Sequence, residues 1–208
     1  MRSRLSPVLV PLLLSTVGLP AESGAQRLSL APEIGFYIPT EKLVEAANGT
    51  VGELEAGPSF GLRVGLSLGR RVGVSLGGSY VPTTFAFQPG GGTPVSRDAR
   101  LFNGTGQLTV FLLPPGSPLS VFLNGGVGVV SRGGVAFTDD SETSDVSGVF
   151  GGGIALKLGG MGVTAGADLF TYTAQYTGST QTASELRQLD VQLRIGLDLL
   201  GGAWAGRR

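Results

Sequence analysis

Residues 62–80 read Leu62-Arg63-Val64-Gly65-Leu66-Ser67-Leu68, then Gly69-Arg70-Arg71, then Val72-Gly73-Val74-Ser75-Leu76-Gly77-Gly78-Ser79-Tyr80. On both sides of the arginine pair, aliphatic residues alternate with Gly, Ser or Arg. A period of two sorts the residues onto opposite faces of a strand, whereas a helix would repeat its apolar positions three and four residues apart. The stretch therefore predicts two antiparallel strands joined by a tight turn, one face aliphatic and the other small and polar.

The same alternation recurs along the chain. It marks eight segments, at about 27–38, 58–69, 72–86, 100–113, 119–135, 147–159, 162–176 and 187–200. Each is longer than the five or six residues usual in a soluble sheet, and each reaches the roughly 9–11 that a tilted strand needs to cross a bilayer. Their connections alternate as well. Those after segments two, four and six are short (Arg70-Arg71, Pro114 to Pro118, Gly160-Met161), while Thr40 to Gly57, Gln88 to Ala99, Thr138 to Val146 and Thr177 to Leu186 are longer and polar. Short turns at one end and long loops at the other predict an all-β fold, an eight-stranded antiparallel up-and-down transmembrane β-barrel. The best helical candidate, Leu43 to Leu54, is interrupted by Gly49 and Gly52 and is read as loop.

Periodicity does not say which face meets lipid, but residue size does. The non-aliphatic face carries Gly65, Gly73, Gly77, Gly126, Gly128, Gly151, Gly153 and Gly166 among its Ser, Thr, Asn and Gln. Glycine suits a crowded lumen and makes a poor solvent-facing strand surface, so the aliphatic face is expected to point outward. Phe36, Tyr37, Phe60, Tyr80, Phe85, Phe87, Phe102, Phe137, Phe150, Phe170, Tyr172 and Tyr176 all fall toward the long-loop end, as a girdle at one membrane interface would. Phe85, Phe87, Phe170 and Tyr172 are out of phase with it, so they either line the barrel mouth or follow a bulge. Phe111, Phe122 and Trp204 sit at the other end.

Counting phase from the aliphatic positions puts Glu33, Arg63, Lys157, Asp168, Asp190, Arg194 and Asp198 inside and leaves no ionisable residue at an outward mid-strand position. In a closed barrel Asp168, Arg194, Glu33 and Arg63 fall on four successive strands near one height, with alternating sign. They are expected to form an ion-pair ladder that plugs the lumen, since an eight-stranded barrel is about wide enough for side chains to fill. A proton or ion relay is the rival reading of the same residues.

The composition excludes much. The chain has no Cys and no His, which removes disulfides, thiolate and imidazole metal sites, and the Ser-His-Asp arrangement. Lys plus Arg and Asp plus Glu balance at 15 each, so nothing favours nucleic acid. No catalytic site, cofactor site or metal site is expected. Asp139 to Asp145 is acidic but lacks the glycine-centred calcium-loop pattern, and Gly151-Gly152-Gly153 has no Gly-Lys-Ser/Thr after it. Residues 1–25 read as a secretory signal peptide: Arg2 and Arg4, a short apolar run to Pro20, and Ser23-Gly24-Ala25 before the cleavage point. Residues 26–208 form the expected barrel domain.

These strands, the leader and the long-short loop rhythm resemble the small outer-membrane barrels of Gram-negative-type bacteria, the OmpX/Ail and OmpA-transmembrane-domain group, over about residues 26–200. The members of that group usually end on an aromatic residue. Here the last strand ends Gly196-Leu197-Asp198-Leu199-Leu200 and the chain runs on through Trp204 to Arg208. The resemblance implies an outer-membrane location, outer-membrane lipid and the barrel-assembly machinery as partners, a monomer, and an extracellular ligand at the loops. The expected function is a non-enzymatic integral barrel presenting four surface loops. The alternatives are a narrow conduit for small solutes or ions, and a soluble exported barrel holding an apolar ligand.

Overall fold

The computed structural model describes residues 27–45, 49–69, 71–113, 117–137, 144–158, 161–176 and 184–200. The expected signal peptide, Trp204 and most of the acidic segment Asp139 to Asp145 lie outside them.

All eight expected segments are strands. In chain order the elements are β1 (Arg27–Pro39), β2 (Val44–Glu45), β3 (Val51–Leu54), β4 (Gly57–Ser67), β5 (Val72–Gln88), β6 (Val95–Phe111), β7 (Leu119–Gly133), β8 (Ser144–Leu158), β9 (Met161–Tyr176) and β10 (Ser184–Asp198). β1 and β4 to β10 pair in sequence, every pair antiparallel, and β10 returns to β1 to close the barrel. β2 and β3 correct the reading of the first long connection as loop. They form a hairpin, and β3 pairs with the upper end of β5 through Val51↔Gln88 to Leu54↔Phe85.

The register fixes the shape. From Arg27, paired residues lead around the barrel through Ser67, Gly73, Thr109, Asn124, Gly151, Asp168 and Gln192 to Tyr37, ten residues further along β1. Eight strands with a shear of ten tilt by about 40° and enclose a lumen that side chains can fill. Packing inside is close. At Gly126 a Cβ would run into the Gly106 carbonyl and the Gln107 backbone. Gly126→Ala is therefore expected to destabilise the barrel by about 1–3 kcal/mol in urea unfolding of detergent-folded protein.

Polarity reverses along the strands. Through the lower and middle barrel the outward positions are aliphatic and exposed: Leu28, Ile34, Leu62, Leu76, Leu108, Leu123, Val127, Leu193 and Ile195 among them. On β1 the alternation from Leu28 to Phe36 covers about 20 Å along the axis at this tilt. No charged side chain interrupts this belt among the described residues, as contact with hydrocarbon requires. Phe36, Phe60, Tyr80 and Phe102, on four adjacent strands, and Phe150 rim its upper edge, all exposed. Tyr80 and Phe102 stand opposite one another with ring centroids 5.0 Å apart.

Above that rim the outward positions turn polar, with Asp98, Arg100, Thr173 and Arg187 exposed. The apolar residues move inside: Tyr37, Val81, Phe85, Leu101, Val130, Phe137, Val149, Phe170 and Tyr172 form one buried cluster, with Phe87 packed against it. This corrects the assignment of Tyr37 and Phe137 to the outer girdle, and of the two readings of Phe85, Phe87, Phe170 and Tyr172 it is the inward one, at the barrel mouth, that holds. It corrects the expectation of a lumen small and polar throughout as well. No bulge is involved. Where the barrel rises out of lipid its outer surface meets water, and the ordinary arrangement with an apolar interior returns. At the opposite end Phe111 and Phe122 are also inside, with ring centroids 6.1 Å apart.

Candidate functional site

Phase and closure bring together Glu33 of β1, Arg63 of β4, Asp168 of β9 and Arg194 of β10. Arg63 Nε lies 2.9 Å from Glu33 Oε1, and its Nη2 lies 3.1 Å from Asp168 Oδ2. Arg194 repeats the pattern, with Nη1 3.2 Å from Glu33 Oε1 and Nε 2.9 Å from Asp168 Oδ2. Each arginine thus bridges both carboxylates, and the four groups close into a ring of alternating sign with no net charge. Asn124 Nδ2 donates to Asp168 Oδ1 at 2.8 Å, and Arg63 donates to the Gln107 side-chain oxygen. Glu33, Asp168 and Arg194 are buried and Arg63 nearly so. Small residues lie against the guanidinium groups: a Cβ at Gly77 would crowd the Thr105 hydroxyl and come into van der Waals contact with Arg63, and one at Gly166 would crowd the Gly152 carbonyl and touch Arg194.

A second polar layer lies above the ring, four residues along β10 from Arg194. Asp190 Oδ2 accepts hydrogen bonds from both Tyr37 and Tyr172 hydroxyls, each at 2.5 Å. The Arg132 guanidinium stacks over the Tyr172 ring at 5.2 Å and pairs with Asp145 at 2.7 Å. The sequence reading placed Asp190 inside but missed Arg132, Asp145 and the two tyrosines as its company. Arg132 was available to it, because it continues the inward phase of Asn124, Gly126, Gly128 and Val130. The first loop is tied down here too. Gln188 Nε2 donates to the Lys42 carbonyl at 2.9 Å, and the Thr40 hydroxyl donates to the Leu189 carbonyl.

The lumen is therefore stratified. An apolar cap fills its upper end, the Asp190 layer lies beneath, the four-residue ring spans the middle, and below the ring is a cavity of about 80 Å³. Lys157, also expected inside, is half-buried on β8, and Asp198 is buried. A second pocket, bounded by Phe85, Phe87, Val95 and Arg97, opens at the upper rim. Among the described residues no group of three or more acidic, His or Cys side chains could hold a metal ion.

The fold is similar to that of the outer membrane protein OprG from Pseudomonas aeruginosa, with a TM-score of 0.60 and 11% identity over 82% of this chain and 93% of that one. Neisserial surface protein A gives a TM-score of 0.49 at 11% identity, covering 84% of this chain and 98% of that one. AlkL in DMPC bilayers also gives 0.49, at 14% identity, covering 86% and 92%. No protein-family model matches the sequence, and no curated protein sequence is similar to it. The likeness is one of fold: a small outer-membrane β-barrel.

Proposed function

We propose that this small outer-membrane-type β-barrel is an integral protein of a bacterial outer membrane with a sealed lumen, acting through its long-loop end as a binding or envelope surface rather than as a pore or an enzyme. The observation that carries the reading is the double closure of the lumen. The Glu33–Arg63–Asp168–Arg194 ring spans it at mid-height, and the Tyr37–Phe85–Phe170 cluster fills it above. In this reading the ring acts as a plug. A solute crossing the barrel would have to break charge-assisted hydrogen bonds and then displace a packed apolar cap. The loop end, by contrast, is built out by the β2–β3 hairpin and by the extensions of β5 and β6, and presents Arg97, Asp98 and Arg100 to solvent.

The same reading includes export through cleavage of residues 1–25, insertion by the barrel-assembly machinery, and a monomer in outer-membrane lipid, with an extracellular partner at the loops. Purified protein reconstituted into planar bilayers is expected to give no stepwise conductance, and a detergent-extracted outer-membrane fraction should show a faster-migrating band when unboiled. Regular conductance steps from the wild type would sink the sealed-lumen reading. A narrow conduit is the second reading, favoured by the cavity beneath the ring, and the same recording decides between the two.

A further inference from the structure

The cavity beneath the ring is lined by a carboxyl group that no described side chain pairs with. Asp198, on β10, lines it and is only 1% exposed. Its Oδ1 accepts the Leu200 amide at 3.2 Å, while its Oδ2 has no hydrogen-bond or ion-pair partner among the described residues. The other charged groups facing the cavity are Glu33, Arg63 and Arg194 in its roof. Both arginines are already shared between Glu33 and Asp168 in a set with no net charge. Lys157 stands opposite Gly162, which is itself opposite Asp198, two strands away and with no ion pair to it. A buried carboxylate without a counter-charge is costly, and such groups are normally paired.

The remaining walls suggest what balances it. Ser29, Ser75 and Thr164 bring hydroxyl oxygens to the same cavity, which is roomy enough for a small ion with some of its hydration water. We propose that the cavity is a binding site for a small monovalent cation of about sodium size, held by the Asp198 carboxylate together with wall hydroxyls and water. A divalent ion such as calcium usually draws on several carboxylates, and among the described residues lining the cavity only Asp198 has an unpaired buried carboxylate oxygen.

The test is thermal unfolding of the detergent-folded full chain in sodium chloride and in tetraethylammonium chloride at equal ionic strength. Wild type should unfold about 4 °C higher in sodium, and ²³Na relaxation should be enhanced by the folded protein. Both effects should vanish in Asp198→Asn. Equal midpoints with no relaxation enhancement in the wild type would overturn the proposal, whether or not Asp198→Asn folds. So would a sodium effect that survives Asp198→Asn. Lys157→Met identifies the rival counter-charge: cation dependence that emerges only in that variant would mean that the lysine, not an ion, balances Asp198.

Discussion

Asp168→Ala should lower the unfolding free energy of the barrel by about 3–5 kcal/mol, the cost of leaving buried charges without their partner. Asp168 receives both arginines and the Asn124 amide, so its removal leaves two guanidinium groups facing one carboxylate. The measurement is urea unfolding of protein folded into phospholipid vesicles. Arg63→Ala should also destabilise, but less, because Arg63 is the most exposed of the four. A ring that only fills space would tolerate either substitution for less than about 1 kcal/mol, and that outcome would remove the ring from any account of the barrel's stability.

Leu76→Arg should cost about 2–4 kcal/mol in vesicles. Leu76 is 71% exposed, stands opposite Val64 beside the ring member Arg63, and so sits near mid-bilayer. Leu158→Arg, at the short-turn edge of the belt, should cost only about 0–1 kcal/mol. The contrast between the two positions is the informative quantity, because a soluble barrel would accept arginine equally well at both. Equal costs would contradict the assignment of the aliphatic face to lipid.

The strands were legible in the sequence because alternation is a local property, and closure followed from an even count with alternating loop lengths. Phase also put Glu33, Arg63, Asp168 and Arg194 inside. What phase does not report is how far a side chain reaches across the lumen, so the sharing of both carboxylates by each arginine had no sequence signature. The upper lumen was misread for a related reason. Period-two alternation assigns a residue to a face, but the medium outside that face changes from hydrocarbon to water partway up each strand. Phe85 and Phe170 looked out of phase only because the rule for the membrane-embedded part was carried past its boundary. The β2–β3 hairpin, with strands of two and four residues, is too short for its alternation to be distinguished from chance.

The ring also bears on how the barrel is joined. Its members sit on the first two and last two barrel strands, so the β9–β10 hairpin carries Asp168 with Arg194, and the neighbouring pair β1 and β4 carries Glu33 with Arg63. Each half is a neutral pair before the ends meet, which lowers the penalty for carrying charge into lipid. The seam then has only one acceptable alignment: a slip of one residue along β1 would turn Arg194 outward, and a slip of two would pull it away from Glu33. Contacts across 161 and 153 positions of sequence, Arg194 to Glu33 and Tyr37 to Asp190, thus tie the two ends of the chain together and are satisfied only when the first and last strands meet in this register.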